Sequence, residues 1–315
     1  MRVLVTGASG FVGGHVSRAL GREGYDVVGT LRSLPPGPSE IELVQYESID
    51  DISPLLNGID AIIHCAGVAH RFGGNPKEIE REMDEGNREW TTRIAGAVAS
   101  SDVRIMIHIS SIAASGWSLF EDPSGLNESN DVEPQSAYGR SKKEAEGVVD
   151  LLNSSGKLGV NLRPPLIYGP LAKGNWAKLK RLAATPFPLP FGSIGNQRSY
   201  LGIDNLISLV QRILELGPET GLGGTYQVAD RDFASLAEVV AAIRSASGRP
   251  AFLLPFPPSL LSAILKGIGK SSMAESLLGD LILDTSKVRK AFDWEPPCRT
   301  LEAIADSEAI YPAPS

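Results

Sequence analysis

Tyr138 and Lys142 stand four residues apart in Ala137-Tyr-Gly-Arg-Ser-Lys-Lys-Glu-Ala145. On a helix that spacing puts a phenol and an amine on one face, about one turn apart. A phenol with its ordinary pKa of about 10 is a poor base at neutral pH. An adjacent ammonium favours the phenolate, so the pair together can serve as proton donor and acceptor near neutrality. Ser111 closes the β-rich run Val103-Arg-Ile-Met-Ile-His-Ile-Ser-Ser111 and supplies a hydroxyl for the reacting oxygen, with Ser110 and Ser115 as alternatives. Such a trio moves a proton on and off an oxygen while hydride leaves or reaches the carbon that bears it. YxxxK alone is common on helices, so the chemistry requires a hydride carrier elsewhere in the chain.

The amino-terminal stretch Arg2-Val-Leu-Val-Thr-Gly-Ala-Ser-Gly-Phe-Val-Gly-Gly14 provides the place for one. Val3 to Val5 has the length and β-branched content of a buried strand, and Val12, Val16, Ala19 and Leu20 carry the period of the helix that follows. Between them, Gly7 permits a tight turn, Gly10 lets a backbone approach a pyrophosphate, and Gly13 lets the helix lie close to the sheet. The helix N-terminus then faces the phosphate charge, beside Ser9, Phe11 and Val12.

Downstream, strands alternate with helices in the manner of a parallel sheet. Tyr25 to Arg32 reads as the second strand, the Pro35 to Pro38 loop precedes a short strand around Leu43 to Tyr46, and Asp60 to Gly67 makes the fourth. Ala66 and Gly67 leave room for a cofactor over that strand's end. An acid at the end of the second strand grips the ribose 2′-hydroxyl of NAD. Leu31 and Arg32 stand there instead, and Arg32 suits a 2′-phosphate, which favours NADP over NAD. Trp90, Ile94, Ala97 and Val98 mark a long helix between about Pro76 and Ser100, and Lys157 to Leu162 makes the sixth strand.

The 315 residues suffice for one large α/β domain and a smaller lobe. A net charge of −7 with scattered Lys and Arg offers no basic surface for nucleic acid. The apolar stretch Pro258 to Leu265 is too short to span a bilayer, so no membrane insertion is expected, and it reads as a helix packed on a lobe or lining a pocket. Two cysteines, Cys65 and Cys298, without a CxxC motif or a secretory leader, point to a reducing, cytoplasmic setting. His15, His64, His70 and His108 show no metal-ligand spacing, and each reads as structural with no metal expected.

Thr6-Gly-Ala-Ser-Gly-Phe-Val-Gly13 resembles the TGxxGxxG turn of the short-chain dehydrogenase/reductases, in the form found in their extended branch. His64-Cys-Ala-Gly67 resembles that superfamily's H-x-A-G segment. His108 to Gly116 resembles the H-I-S-T-D-E-V-Y-G of nucleotide-sugar dehydratases and the S-S-S-A-T-V-Y-G of UDP-galactose epimerases, and both overlays favour Ser111. The dehydratases' Asp-Glu pair is Ile112 and Ala113 here, which argues against dehydration. Arg163-Pro-Pro-Leu-Ile-Tyr-Gly-Pro170 is similar to R-x-x-N-x-Y-G-P, with Leu166 at the Asn. Gln197 to Asn205 resembles R-D-F-x-x-V-D-D, and Gly279 to Pro296 the closing D-x-S-K-A … L-G-W-x-P pattern, with Leu277 where a diphosphate-binding Arg is usual.

The resemblance covers Met1 to about Pro297 and implies a Rossmann-type doubly wound parallel sheet, with a smaller, mostly C-terminal substrate-binding lobe. It divides the chain into residues 1–168, completed by about 198–230, and a lobe of 169–197 and 231–315. It implies Ser111, Tyr138, Lys142 and Asn87 as catalytic residues, Asn87 helping to hold the lysine. It assigns the cofactor to Gly7, Ser9, Gly10, Phe11, Val12, Gly13, Arg32, Ala66, Gly67, Tyr138, Lys142 and Pro165, and the substrate to Ser111, Asn175, Phe191 and Arg198, with Arg198 on the diphosphate. The implied activity is NAD(P)-dependent hydride transfer at carbon 4 of a nucleotide-activated hexose for surface-polysaccharide precursors, by a 4-ketoreductase or a 4-epimerase. Loss of the usual acid, Asn and Arg leans toward the reductase. A homodimer through the helices near Trp90 to Ala99 and Tyr138 to Leu152 is also implied. Reduction of a non-nucleotide ketone and a non-enzymatic NADP(H) sensor are the alternatives.

Overall fold

The computed structural model describes residues 1–34, 39–46, 49–68, 75–116, 125–130, 132–218 and 221–310. The Pro35 to Pro38 loop and His70 lie outside them. In chain order the first half runs β1 (Arg2–Thr6), α1 (Phe11–Arg22), β2 (Asp26–Leu31), β3 (Glu42–Gln45), β4 (Ala61–His64), α2 (Pro76–Met83), α3 (Trp90–Ala99), β5 (Ile105–Ile109) and α4 (Ala137–Asp150). Then come β6 (Leu158–Arg163), β7 (Leu166–Tyr168), α5 (Gly174–Ala183), β8 (Arg198–Gly202), α6 (Ile203–Leu216), β9 (Gly224–Gln227) and β10 (Phe233–Ala234). Helices α7 (Leu236–Ala246), α8 (Pro258–Gly267), α9 (Ser271–Leu278), α10 (Ser286–Phe292) and α11 (Thr300–Ile310) close the chain.

Seven strands form one parallel sheet in the order β3-β2-β1-β4-β5-β6-β9. Its strands are apolar almost throughout because helices cover both faces. Alternation sorts their side chains: Val3, Val5, Ile63 and Ile107 face a core shared with α1 and α6, while Leu4, Ile62 and Met106 face Trp90, Ile94 and Val98. The order reverses between β1 and β4, the switch point where sheets of this kind bind ligands at their carboxyl edge.

Residues 198–202 differ from expectation. They do not join the large sheet but form β8 of a second one, ordered β10-β8-β7, while α6 and β9 do complete the large layer. A separate core of Trp176, Leu179, Tyr200, Val240 and Ile243 backs this smaller sheet. Asp230 ties the two parts: it accepts from the Tyr168 hydroxyl at 2.7 Å, the Gly202 amide at 2.8 Å, Asn205 at 2.7 Å and Thr300 at 3.1 Å. Helix α8 lies on the lobe as expected, but only at its rim: Leu261 touches the second core, no residue of the helix is buried, and Leu260 and Ile264 are exposed. Among the described residues no helix is long and apolar enough to cross a membrane.

Candidate active site

The glycine-rich turn is built by close packing. Gly7 has φ +71°, and a Cβ there would stand 2.8 Å from the Ala66 nitrogen. A Cβ on Gly13 would lie 2.4 Å from the Gly7 carbonyl oxygen, so α1 starts pressed against the turn. Gly10 caps α1, and helix geometry leaves the amides of Phe11, Val12 and Gly13 without intrahelical partners. Ser9 and Gly10 are exposed above this cradle. The Phe11 ring packs against both cores, so what it offers a ligand is its backbone amide. Ala66 donates its amide to Thr6 Oγ1 at 3.2 Å, Gly67 is exposed, and Arg32 projects into solvent just beyond the buried Leu31. A cradle open to backbone approach, fixed donors and an exposed cation together fit a dinucleotide.

Asn87 sits in a π-helical turn, Asp84–Glu89, that joins α2 to α3. Its side chain accepts from the Val68 amide at 2.9 Å and donates to the Val68 carbonyl at 3.2 Å and to Ser141 Oγ at 3.0 Å. Asn87 thus binds the chain after Gly67 and grips α4 at Ser141, one residue before Lys142.

Helix α4 starts at Ser136, whose hydroxyl accepts from the Gly139 amide at 3.0 Å. Tyr138 is half-buried and hydrogen-bonded to Ser111; burial pushes the phenol above its ordinary value, and the bond to Ser111 opposes that rise. Ser110 and Ser115 are otherwise engaged. Ser110 donates to Glu146, which is paired with Arg163 at 2.6 Å with both side chains about 5 % exposed or less, and Arg163 donates to Ser115 at 3.1 Å.

Lys142 is held by the end of β5. Its Nζ donates to His108 Nε2 and to the Ile109 carbonyl, each at 2.8 Å, and burial pulls the ammonium down to about 8 against the opposing charge of Glu146. His108 and Glu146 are the functional neighbours the motifs did not name: His108 reaches Lys142 from β5, and Glu146, one turn beyond Lys142 on α4, is paired with Arg163 of β6; the one signal in the sequence was an imidazole on a strand that ends at the candidate hydroxyl.

Three substrate assignments are constrained. Phe191 is buried in the second core, where it packs the lobe. Arg198 is largely buried and donates to the Gly279 carbonyl at 2.5 Å, while Asn175 is exposed on α5. Pro165 is buried between β6 and β7, and the neighbouring Pro164 carbonyl accepts from Ile112 at 2.9 Å. Among the described residues no group of His, Cys, Asp or Glu could hold a metal. A surface groove lined by Ser53, Asn57, Arg93 and Asp102 lies at the opposite, amino-terminal edge of β5, away from Ser111.

Residues 3–229 match the model of the NAD dependent epimerase/dehydratase family. The chain is 32% identical over 314 residues to a UDP-glucose 4-epimerase of Vibrio cholerae, covering 98% of this chain and 95% of that protein. Among solved structures it is similar in fold to UDP-N-acetylglucosamine 4-epimerase from Bacillus cereus, with TM-score 0.77, 20% identity and 99% of both chains covered. It is similar also to UDP-glucuronic acid 4-epimerase from Bacillus cereus in complex with NAD, with TM-score 0.76, 22% identity, and 99% and 96% covered. With a glycine cradle at the switch point and a serine–tyrosine pair at the same sheet edge, the chain belongs to the NAD dependent epimerase/dehydratase family, as an enzyme of the extended short-chain dehydrogenase/reductase type.

Proposed function

We propose that the protein moves hydride at carbon 4 of a UDP-hexose and returns it to the opposite face, as a 4-epimerase. The observation that carries this reading is the hydrogen-bonded Ser111–Tyr138 pair on the carboxyl edge of the sheet, with Lys142 one helical turn away. The match to the Vibrio cholerae protein along 98% of the chain supports the choice of substrate class.

Ser111 holds the C4 oxygen in line with the phenol, and Tyr138 takes the hydroxyl proton as the alcohol becomes a ketone. A bound nicotinamide dinucleotide supplies the hydride acceptor and donor. Lys142 binds the nicotinamide ribose and, as an ammonium, favours the phenolate that forms next to it. Gly7, Ser9, Gly10 and the amides of Phe11, Val12 and Gly13 take the pyrophosphate, Ala66 and Gly67 border the cofactor, and Asn87 fixes that border to α4. Arg198 and Asn175 are the candidates for the substrate's diphosphate and sugar, and two copies of the chain associate through α3 and α4.

A one-way 4-ketoreductase is the second reading, and Arg32 favours it. The exposed guanidinium at the end of β2, with Leu31 and Arg32 where the usual acid would stand, suits the 2′-phosphate of an exchangeable NADPH. One experiment separates the two. UDP-glucose or UDP-N-acetylglucosamine is incubated without added reductant, and a 4-keto-6-deoxy UDP-sugar is incubated with NADPH. Inversion at carbon 4 in the first identifies the epimerase; loss of nicotinamide absorbance in the second identifies the reductase. Neither, despite firm cofactor binding, rejects both.

A further inference from the structure

His108 is fully buried and has no part in the reaction as described, yet its ring meets Lys142. The contact has a defined polarity. Asn161 Nδ2 faces three acceptors, the Glu146 carbonyl at 3.1 Å, Asp150 Oδ1 at 3.0 Å and Thr225 Oγ1 at 3.3 Å. A reversed amide would set its oxygen against the first two, so Asn161 Oδ1 must face His108 Nδ1, 2.9 Å away. His108 Nδ1 therefore carries the proton, and Nε2 presents its lone pair to the Lys142 ammonium.

From this geometry we infer that His108 is a positioning residue: a neutral imidazole that, with the Ile109 carbonyl, fixes two of the three donors of Lys142 and leaves the third for the cofactor. The inference rests on the role given to Lys142 under the proposed function. Its acceptor must stay neutral, because an imidazolium would expel the ammonium. The surroundings keep it so: burial, the Lys142 charge and His64, stacked on it at 5.5 Å between ring centroids, hold His108 well below its ordinary range. The other ionisable groups around the lysine are Cys65 beyond β4, Tyr138 and Glu146 on α4, and Arg163 on β6 behind Glu146.

Three proteins test this: the unmutated chain, His108→Leu and His108→Gln. Removing the acceptor takes a charge-assisted hydrogen bond from the ammonium, so His108→Leu lowers kcat about tenfold and leaves the sugar KM within about twofold. Its alkaline limb moves to lower pH, because a less stabilised ammonium loses its proton earlier. His108→Gln, whose amide oxygen reaches the place of Nε2, restores most of both. An unchanged kcat and pH profile in His108→Leu overturns the inference.

Two NMR measurements decide the matter without turnover. The Lys142 Cε signal in lysine-labelled protein titrates near 8 in the unmutated chain and lower in His108→Leu; an equal midpoint overturns the inference. Should His108→Leu fail to fold, long-range proton–nitrogen spectra of the unmutated protein show the Nδ1–H tautomer of His108. The Nε2–H tautomer overturns the inference. Absence of turnover in the unmutated protein counts against the proposed reaction alone, and the NMR results still decide the role of His108.

Discussion

Ser110, Ser111 and Ser115 are identical hydroxyls whose surroundings set them to different work. Ser110 and Ser115 are bound to the buried Glu146–Arg163 pair, while Ser111 meets Tyr138. Ser111→Ala is expected to lower kcat about 100-fold with cofactor affinity retained, the scale seen when a donor to a developing oxyanion is removed. Ser110→Ala should instead cost about 1–3 kcal/mol of stability, read by urea denaturation, since it strips a partner from a buried carboxylate. The reverse pattern would reassign the hydroxyl. The buried histidines make a second prediction. Burial first, and the Lys142 charge second, hold His64 down to about 3 and His108 well below its ordinary value. An unfolded chain protonates both below about pH 6.5, so the unfolded state binds more protons there and stability falls as pH drops. Each group contributes a slope of about 1.4 kcal/mol per pH unit, and His64→Asn should flatten the acid side by one such share. Urea midpoints across the acid range check this, and an unchanged slope would contradict it.

At the scale of elements, the strand–turn–helix at the amino terminus and the Tyr138–Lys142 face of α4 were legible in the sequence because both are local. A period and a glycine spacing define them within a dozen or so residues. Gly13 shows how little slack the turn holds: Gly13→Ala sets a methyl group 2.4 Å from the Gly7 oxygen. It should weaken dinucleotide binding at least about tenfold and cost about 1–3 kcal/mol, measured by cofactor titration and thermal unfolding. What was not legible is non-local. Nothing near Asn87 announces that a π-turn will aim it at Val68 and Ser141, and nothing near Ser110 reveals Glu146. The burial of Phe191 and the exposed rim of α8 were not legible either, for one reason. An apolar segment has the same composition whether it packs a core, as Phe191 does, or stays exposed, as Leu260 and Ile264 do; only the tertiary neighbours decide.

The whole molecule pairs a seven-stranded layer with a three-stranded one, and Asp230 is the polar joint between them. Asp230→Ala takes an acceptor from the Gly202 amide and the Asn205 amide and leaves the buried Tyr168 hydroxyl only the longer bond to the Thr300 carbonyl. It should lower stability by about 2–4 kcal/mol and reduce kcat by shifting the three-stranded layer against the seven-stranded one. Denaturation and steady-state kinetics together test that joint. Cofactor choice also belongs to this scale, because the dinucleotide that Arg32 is proposed to meet spans the sheet edge. Arg32→Asp should turn a preference for NADP(H) toward NAD(H), read as the ratio of the two dissociation constants; an unchanged ratio would leave Arg32 a solvated surface charge.

The central claim is that hydride moves at carbon 4 while Tyr138 carries the proton. The most direct measurement gives the protein a UDP-hexose deuterated at carbon 4 and follows the sugar by NMR, with Tyr138→Phe alongside. The expected product is inverted at carbon 4 with its deuterium kept, and the rate is about 100-fold or more lower in Tyr138→Phe at similar cofactor affinity. Deuterium lost to solvent during inversion, or full activity in Tyr138→Phe, would contradict it.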